Sequence, residues 1–320
     1  MRIAVVVPSY KVSRHILAVI TGIGPEVERI YVVDDACPEK SGDFVLANNT
    51  DKRVQVLFNP VNLGVGGATM HGYRQALNDG YDIVVKVDGD GQMDVRQIAA
   101  LVSPIVAGQA DYAKGNRFFD LSYVKSMPLA RLLGNSALSF VNKFVSGYWN
   151  VMDPTNGFTA IHSAMIRFIP LDKIEKRYFF ESDMLFCLGT IRAVVADVPL
   201  PAKYGDEVSN LRILRVILDF PSKYASRFLK RIFFCYFLRD FNAASIALLL
   251  GIPLLAFGIA FGIHAWLSSA LTGVAATSGT VMLAALPAGI GLQFLLAALA
   301  YDVSNTPKQS LHGTLSRLAV

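Results

Sequence analysis

From Phe241 to Tyr301 the chain contains no Asp, Glu, Lys or Arg, 61 consecutive residues without a formal charge in a protein of 320 residues. A single helix of that length would run to roughly 90 Å, about three times the hydrocarbon thickness of a bilayer, so the stretch is expected to fold back as two membrane spans. They are placed at 243–266 and 279–301, joined by the small, uncharged "LSSALTGVAATS". Cysteine is scarce as well. Cys37, Cys187 and Cys235 have no metal-type spacing, which suits a reducing compartment and argues against both zinc and a disulfide framework. The apolar run in "MRIAVVVPSY" ends at Pro8 after five residues, so it is expected to be a strand rather than a signal peptide. There is no internal repeat and no low-complexity segment.

Basic residues avoid the loop between the spans and collect at their outer ends. Arg227, Lys230, Arg231 and Arg239 precede the first span, and Lys308 and Arg317 follow the second. By the positive-inside rule both termini and the catalytic domain are expected in the cytoplasm and the loop outside, and the expected location is the inner, cytoplasmic membrane. Residues 212–239 hold seven basic residues (Arg212, Arg215, Lys223, Arg227, Lys230, Arg231, Arg239) against Asp219, a local +6 within a total of +5, so the rest of the chain sums to −1. That remainder offers no basic surface to nucleic acid. Apolar and basic positions recur at helical spacing on either side of Pro221, which predicts two amphipathic helices lying on an anionic leaflet. Gly251, Gly258 and Gly262 permit close helix contact in the spans, a contact open to a homo-oligomer.

Residues 1–211 are expected to form one catalytic domain, 212–240 the juxtamembrane helices, 241–303 the spans and 304–320 a short cytoplasmic tail. Within 1–211, short apolar runs fall at 3–7, 30–33, 54–57 and 83–87, with helix-like stretches such as "HILAVITGI" and "ATMHGYRQALNDG" between them. This pattern predicts an α/β domain with a mainly parallel sheet covered by helices on both faces. Ligands of such sheets bind beyond the carboxyl ends of the strands, so the residues after each run matter: 8–10, 34–35, 59–67 and 88–92. "NLGVGGA" fails as a dinucleotide fingerprint, since Thr69 stands where the last glycine belongs and the turn follows the third strand. Its Asn62 and Gly64 remain nucleotide candidates through backbone N–H groups near a phosphate. Asp35 is expected to cap the following turn.

The stretch "VVKVDGDGQMD" at 84–94 ends a buried run in three acids. Gly89 lets the carboxylates of Asp88 and Asp90 converge, and two carboxylates held together call for a divalent cation. Oxygen ligands of this kind, with Gln92 as a third, suit Mg²⁺ or Mn²⁺. Asp94 is expected to cap the helix that follows.

These segments together resemble the inverting family 2 glycosyltransferases of GT-A fold, in particular the polyprenyl-phosphate hexose synthases of the dolichyl-phosphate mannose synthase type. "VVVPSY", "VVDDAC", "NPVNLGVGGA", "VDGDGQMD", "GNRF", "DPTNGFTA" and "YFFESDM" carry the resemblance across 1–211. It implies a Rossmann-like GT-A sheet followed by interfacial and transmembrane helices. It implies that Pro8, Tyr10, Val32 and Asp34 meet the nucleotide, and that Asp88, Asp90 and Gln92 form the metal turn. Arg117 and Arg131 match basic residues that meet phosphates near the acceptor, and Asn135 and Ser136 line the same site. Asp153, Asn156 and Gly157 fall in a loop facing the donor sugar, and Glu181 and Asp183 in the segment that holds a catalytic acid. The pattern departs at Lys11 and Val12, where the family often has Asn-Glu, and near residue 205, where Lys203 is the candidate replacement for a missing basic residue.

The implied activity is inverting, metal-dependent transfer of one hexose, from GDP-mannose or UDP-glucose or a donor of that type, to undecaprenyl, dolichyl or a similar polyprenyl phosphate. A processive polysaccharide synthase is the alternative among enzymes. It is disfavoured by two spans, too few for a polymer channel, and by the absence of a Q-x-x-R-W motif. A non-catalytic membrane scaffold is the alternative outside them, and it has no use for intact metal and arginine positions.

Overall fold

The computed structural model describes residues 1–119, 129–200 and 213–318. The four apolar runs become strands β1 (Ile3–Ser9), β2 (Arg29–Asp34), β3 (Val54–Phe58) and β4 (Ile83–Lys86). Three further strands complete the sheet: β5 (Tyr112–Asn116), β6 (Thr159–His162) and β7 (Val195–Pro199). The order is β3-β2-β1-β4-β6-β5-β7, and β6 alone runs antiparallel to its neighbours β4 and β5. All the other strands therefore end at one edge, and the start of β6 lies at that edge too.

Side chains on a strand alternate between the two faces, and both faces here are apolar. Ile3, Val5, Val7, Ile30, Val32 and Val85 join helices α1 (Ile16–Gly22), α2 (Ser41–Asn48) and α4 (Ile98–Val106) in one core. Ala4, Val6, Tyr31, Val33 and Val84 join α3 (Gly64–Asn78) and α7 (Phe180–Thr190) in the other. Two more helices, α5 (Leu129–Ser146) and the single turn α6 (Ser163–Ile166), flank β6 in sequence. The fold is the mixed, mainly parallel α/β sheet that the sequence predicts.

Helix α8 (Ile213–Phe233) passes through Pro221 without a break, so one helix stands where two were expected. Proline removes one backbone hydrogen bond, but the Ser222 hydroxyl donates to the Asp219 carbonyl, and Phe220, Tyr224 and Phe228 pack with Val145 and Phe179. Packing along the apolar side carries the helix across the proline. The basic residues of α8 are also less available than the charge count implies. Lys223 pairs with Glu175 at 2.8 Å, Arg227 with Asp183 at 2.6 Å and Arg231 with Asp302 at 2.8 Å.

One compact unit comprises Met1–Phe228 and the chain from Pro307 onward, and a second comprises Leu229–Thr306. The second unit is built on α9 (Ala243–Thr272) and α10 (Ser278–Ser304), both long and apolar enough to cross a membrane. Gly251, Gly258 and Gly291 serve the hairpin itself. A methyl group at Gly258 would lie 2.5 Å from the Ala288 nitrogen, and one at Gly291 would lie 2.5 Å from the Leu255 nitrogen, so the backbones of α9 and α10 meet there. In the first unit, the tail after α10 ends in α11 (His312–Leu318), whose start is held by Asp111. The Asp111 carboxylate accepts from the backbone N–H groups of Leu311, His312 and Val194, and His312 Nδ1 lies 2.9 Å away. The His312 ring stacks on His162 at 4.4 Å.

Candidate active site

The loops after β1, β2 and β4, the loop that enters β6 and the start of α7 share one edge of the sheet. Backbone strain gathers in the first two, where Lys11, Ala36 and Lys40, none of them glycine, have φ between 49° and 58°. The acids along this edge have different partners. Asp34 caps α2: its Oδ1 accepts from Cys37 N, and its Oδ2 accepts from Gly42 N and the Ser41 hydroxyl. Asp35 caps α3 rather than the turn that follows it. Its carboxylate accepts from Leu63 N, Gly64 N and Asn59 Nδ2.

The glycine turn is therefore already filled. Gly64 N is given to Asp35, while Gly66 N and Gly67 N are given to the Lys176 carbonyl. Gly64 sits at φ +83°, and a side chain there would meet the Lys176 carbonyl at 2.5 Å, so these glycines exist to admit the 175–177 segment. Asn62 Nδ2 donates to the Asp35 carbonyl and belongs to the same cap. Pro8 lies on β1, and the exposed Tyr10 ring stands at its end with Lys11 Nζ 5.7 Å from the centroid. Val32 is wholly buried in the core, paired on both sides with β1 and β3, and offers a ligand no surface.

Beyond β4 the chain turns as expected. Asp88 and Asp90 are both partly exposed, and Asp90 Oδ1 accepts from Gln92 N, which closes the turn. Asp94 accepts from Arg96 N and caps the short helical turn Val95–Gln97 that leads into α4. Across the turn stands the loop entering β6. Asp153 is fully buried and holds the Arg117 guanidinium in a fork, Nε to Oδ2 at 2.7 Å and Nη2 to Oδ1 at 3.0 Å. Asn156 Nδ2 donates to the Gly115 carbonyl at 2.7 Å. Gly157 lies so close to the turn that a Cβ would stand 2.6 Å from Asp88 Oδ2 and from Lys86 Nζ.

Two lysines that sequence reasoning passed over organise this region. Lys86 and Lys114 sit opposite Thr159 on the two neighbours of β6, so both side chains rise on one face. Lys114 Nζ donates to the Asn156 carbonyl. Lys86 Nζ donates to the next carbonyl, Gly157, at 3.3 Å, and also meets Asp88 Oδ1 at 2.7 Å and Glu181 Oε1 at 3.4 Å. Burial pushes the Lys114 amine down to about 8, with Glu181 and Asp153 opposing the shift. The same burial acts on Lys86, but Asp88 and Glu181 outweigh it and hold that ammonium above its ordinary value. The readable signal was a lysine inside each run of buried strand residues, "IVVK" and "YAKGN".

The two acids of α7 part company. Glu181 joins Lys86 and Asp88, whereas Asp183 is buried in a fork with Arg227 and accepts from Glu175 N at 2.9 Å. Asn135 and the exposed Ser136 lie on α5, which the Ser139 hydroxyl ties to the Met152 carbonyl beside the donor-side loop. Arg131 is on the same helix, its side chain outside the described residues, and Lys203 lies outside them altogether. Beside this loop Asp197 accepts from Asn116 Nδ2 and Met152 N, and burial raises its carboxyl to about 6. Among the described residues no group of three or more His, Cys, Asp or Glu side chains could hold a metal. Asp88 and Asp90 are nonetheless a hard-oxygen pair on an open turn, and they fit a divalent cation whose other positions are filled by ligand oxygens and water.

Comparison with known proteins bears on this geometry. The family model for glycosyl transferase family 2 matches residues 4–171. The undecaprenyl-phosphate mannosyltransferase of Micrococcus luteus is 31% identical over 205 residues, 62% of this chain and 83% of that protein. The UDP-N-acetylglucosamine–dolichyl-phosphate N-acetylglucosaminyltransferase of Methanococcus voltae is 28% identical over 71% of this chain and 96% of its own length. Among solved structures, glucosyl-3-phosphoglycerate synthase from Mycobacterium tuberculosis, in complex with Mn²⁺, UDP and glucosyl-3-phosphoglycerate, superimposes with a TM-score of 0.54 at 19% identity. That match covers 72% of this chain and 79% of the synthase, and it shows the shared fold.

Proposed function

The chain belongs to glycosyl transferase family 2 and is a glycosyltransferase, and from that premise we propose that it transfers one hexose from a nucleoside diphosphate sugar to a polyprenyl phosphate with inversion. The observation that carries the reading is the meeting of the Asp88 turn, the Gly157 carbonyl and Glu181 around one buried ammonium at the strand ends. The acceptor class is supported by the relatives named for undecaprenyl and dolichyl phosphate and by two apolar helices in the same chain. The donor is of the GDP-mannose or UDP-glucose type.

An acceptor phosphate is ionised near neutral pH, so its oxygen attacks the anomeric carbon without a strong base. The bond from that carbon to the diphosphate breaks, and the nucleoside diphosphate leaves. Catalysis is then a matter of position and charge. Asp88 and Asp90, with Gln92, would hold Mg²⁺ or Mn²⁺, which would supply charge neutralisation for the leaving diphosphate. Arg117, aimed by the fork with Asp153, orients the attacking phosphate, with Arg131, Asn135 and Ser136 of α5 as its partners in that role. Gly157 and Asn156 present the wall that faces the sugar, and Tyr10 covers the base. Glu181 orients the sugar from the start of α7, and Lys203, outside the described residues, is the proposed substitute for the family's missing basic residue.

The protein sits in the cytoplasmic membrane with its catalytic domain and both termini in the cytoplasm. The basic flanks of the spans support this, with Lys230 and Arg239 before the first and Lys308 after the second. Gly251, Gly258 and Gly291 are taken up by the hairpin, while Gly289 faces open space and leaves a small-residue surface for a homo-oligomer.

The test is to incubate the purified full chain with polyprenyl phosphate, Mn²⁺ or Mg²⁺, and in turn radiolabelled GDP-mannose, UDP-glucose and UDP-N-acetylglucosamine. Label in the lipid phase from one donor is the expected result, with at least a hundredfold loss in Asp90→Ala. Failure of every donor, or near-normal turnover in Asp90→Ala, sinks the reading.

A further inference from the structure

Lys86 closes β4, and its side chain is 1% exposed. Burying an ammonium is expensive unless acceptors and opposite charges compensate it. Three N–H groups face three acceptors on three different segments: Asp88 Oδ1, the Gly157 carbonyl and Glu181 Oε1. The Asp88 carboxylate is thus engaged by a resident cation before any metal arrives. Asp88 and Glu181 are 31% and 15% exposed. Without Lys86 they would be two carboxylates at close quarters, which repel each other and attract a cation. Among the described residues, too few acids gather at this turn to hold a divalent ion alone.

We propose that Lys86 is a positioning residue that acts as a stand-in cation. It holds Asp88 and Glu181 in working register and keeps the turn's affinity for a free divalent ion low until a nucleoside diphosphate contributes its own oxygens. This rests on the metal-dependent reading above, and it adds an order of events: metal and nucleotide bind as a coupled pair, because the diphosphate must first outweigh the charge of Lys86. A positive charge in contact with one of two metal-turn carboxylates penalises a dication strongly in a partly buried site.

The experiment is Mn²⁺ titration of the detergent-solubilised full chain, with free Mn²⁺ read by electron paramagnetic resonance, alone and in turn with UDP and with GDP. Wild type should bind Mn²⁺ weakly alone and at least tenfold more tightly with one of the two nucleotides. Lys86→Met should bind Mn²⁺ alone about tenfold more tightly than wild type and lose most of that coupling. Its kcat for transfer should fall far more than its donor KM rises. Lys86→Arg, which keeps the charge, should retain the coupling. A variant that merely loosened the fold would bind Mn²⁺ more weakly, the opposite sign. If Lys86→Met does not fold, Glu181→Gln leaves Lys86 wholly to Asp88 and should weaken Mn²⁺ binding without nucleotide severalfold. Unchanged or weaker Mn²⁺ binding in folded Lys86→Met, unchanged or tighter binding in Glu181→Gln, or no coupling in wild type overturns the proposal. Mn²⁺–nucleotide binding is measured without a lipid acceptor, so failed transfer to polyprenyl phosphate refutes the function and leaves this result standing.

Discussion

Breaking the Asp183–Arg227 fork decides which acid of α7 serves the reaction. Asp183 is 1% exposed and Arg227 19%, with contacts of 2.6 and 3.2 Å. Removing one partner of a buried ion pair costs about 3–5 kcal/mol, because the other charge is left stranded. Arg227→Met strands the anion, which keeps only the Glu175 N–H and should lie at the upper end. Asp183→Asn strands a guanidinium that water can partly reach, at about 3 kcal/mol, or roughly 6–12 °C in the melting temperature of the solubilised protein. The double variant Asp183→Asn with Arg227→Met leaves no unpaired charge and should recover at least half of the larger single loss. If Asp183 only anchors α8, sugar transfer per folded molecule stays within a few-fold of wild type in the double variant. A folded double variant that has lost transfer a hundredfold would show that Asp183 acts on the reaction and refute this division of roles. A loss below about 1 kcal/mol in either single variant would refute the energetics.

Two further outcomes are expected. Burial, reinforced by the neighbouring His312, lowers His162 to about 4 in the folded protein. The unfolded chain therefore takes up the proton first as pH falls from about 6.5 to 4, and stability is lost across that window. After allowance for solvent screening the loss is roughly 2 kcal/mol; His162→Gln should abolish this part of the acid sensitivity in melting curves, and an unchanged pH profile would count against the stacked clasp. For membrane topology, a cysteine in place of Ser269 at the end of α9 should react with an impermeant thiol reagent added to intact cells, while labelling only after lysis would reverse the proposed orientation.

The sheet was legible because its first four strands are continuous apolar runs, and a run buried on both faces needs no alternation to be recognised. The two long apolar helices were legible for the same reason, since an uncharged stretch of 61 residues marks them out. The acids were harder. Asp34, Asp35, Asp88 and Asp90 all stand just past strand ends, and spacing alone cannot separate a cap from a ligand. Partners do separate them. Asp34 and Asp35 receive the backbone N–H groups that open α2 and α3, where the helix ends favour an anion. Asp88 receives a lysine side chain and keeps part of its surface.

The same rule explains the basic cluster before the spans. Counted along the chain, 212–239 is a patch of positive charge aimed at lipid. In three dimensions Lys223, Arg227 and Arg231 each meet an acid at least 44 positions away in sequence. No local pattern encodes such pairings, because they depend on which helix the fold lays against which. Charge that looks like a membrane signal is thereby used to fasten α8 to the catalytic domain and to close the hairpin. If the apolar area of α9 and α10 attaches the chain to lipid as proposed, added salt should release little of it from membranes.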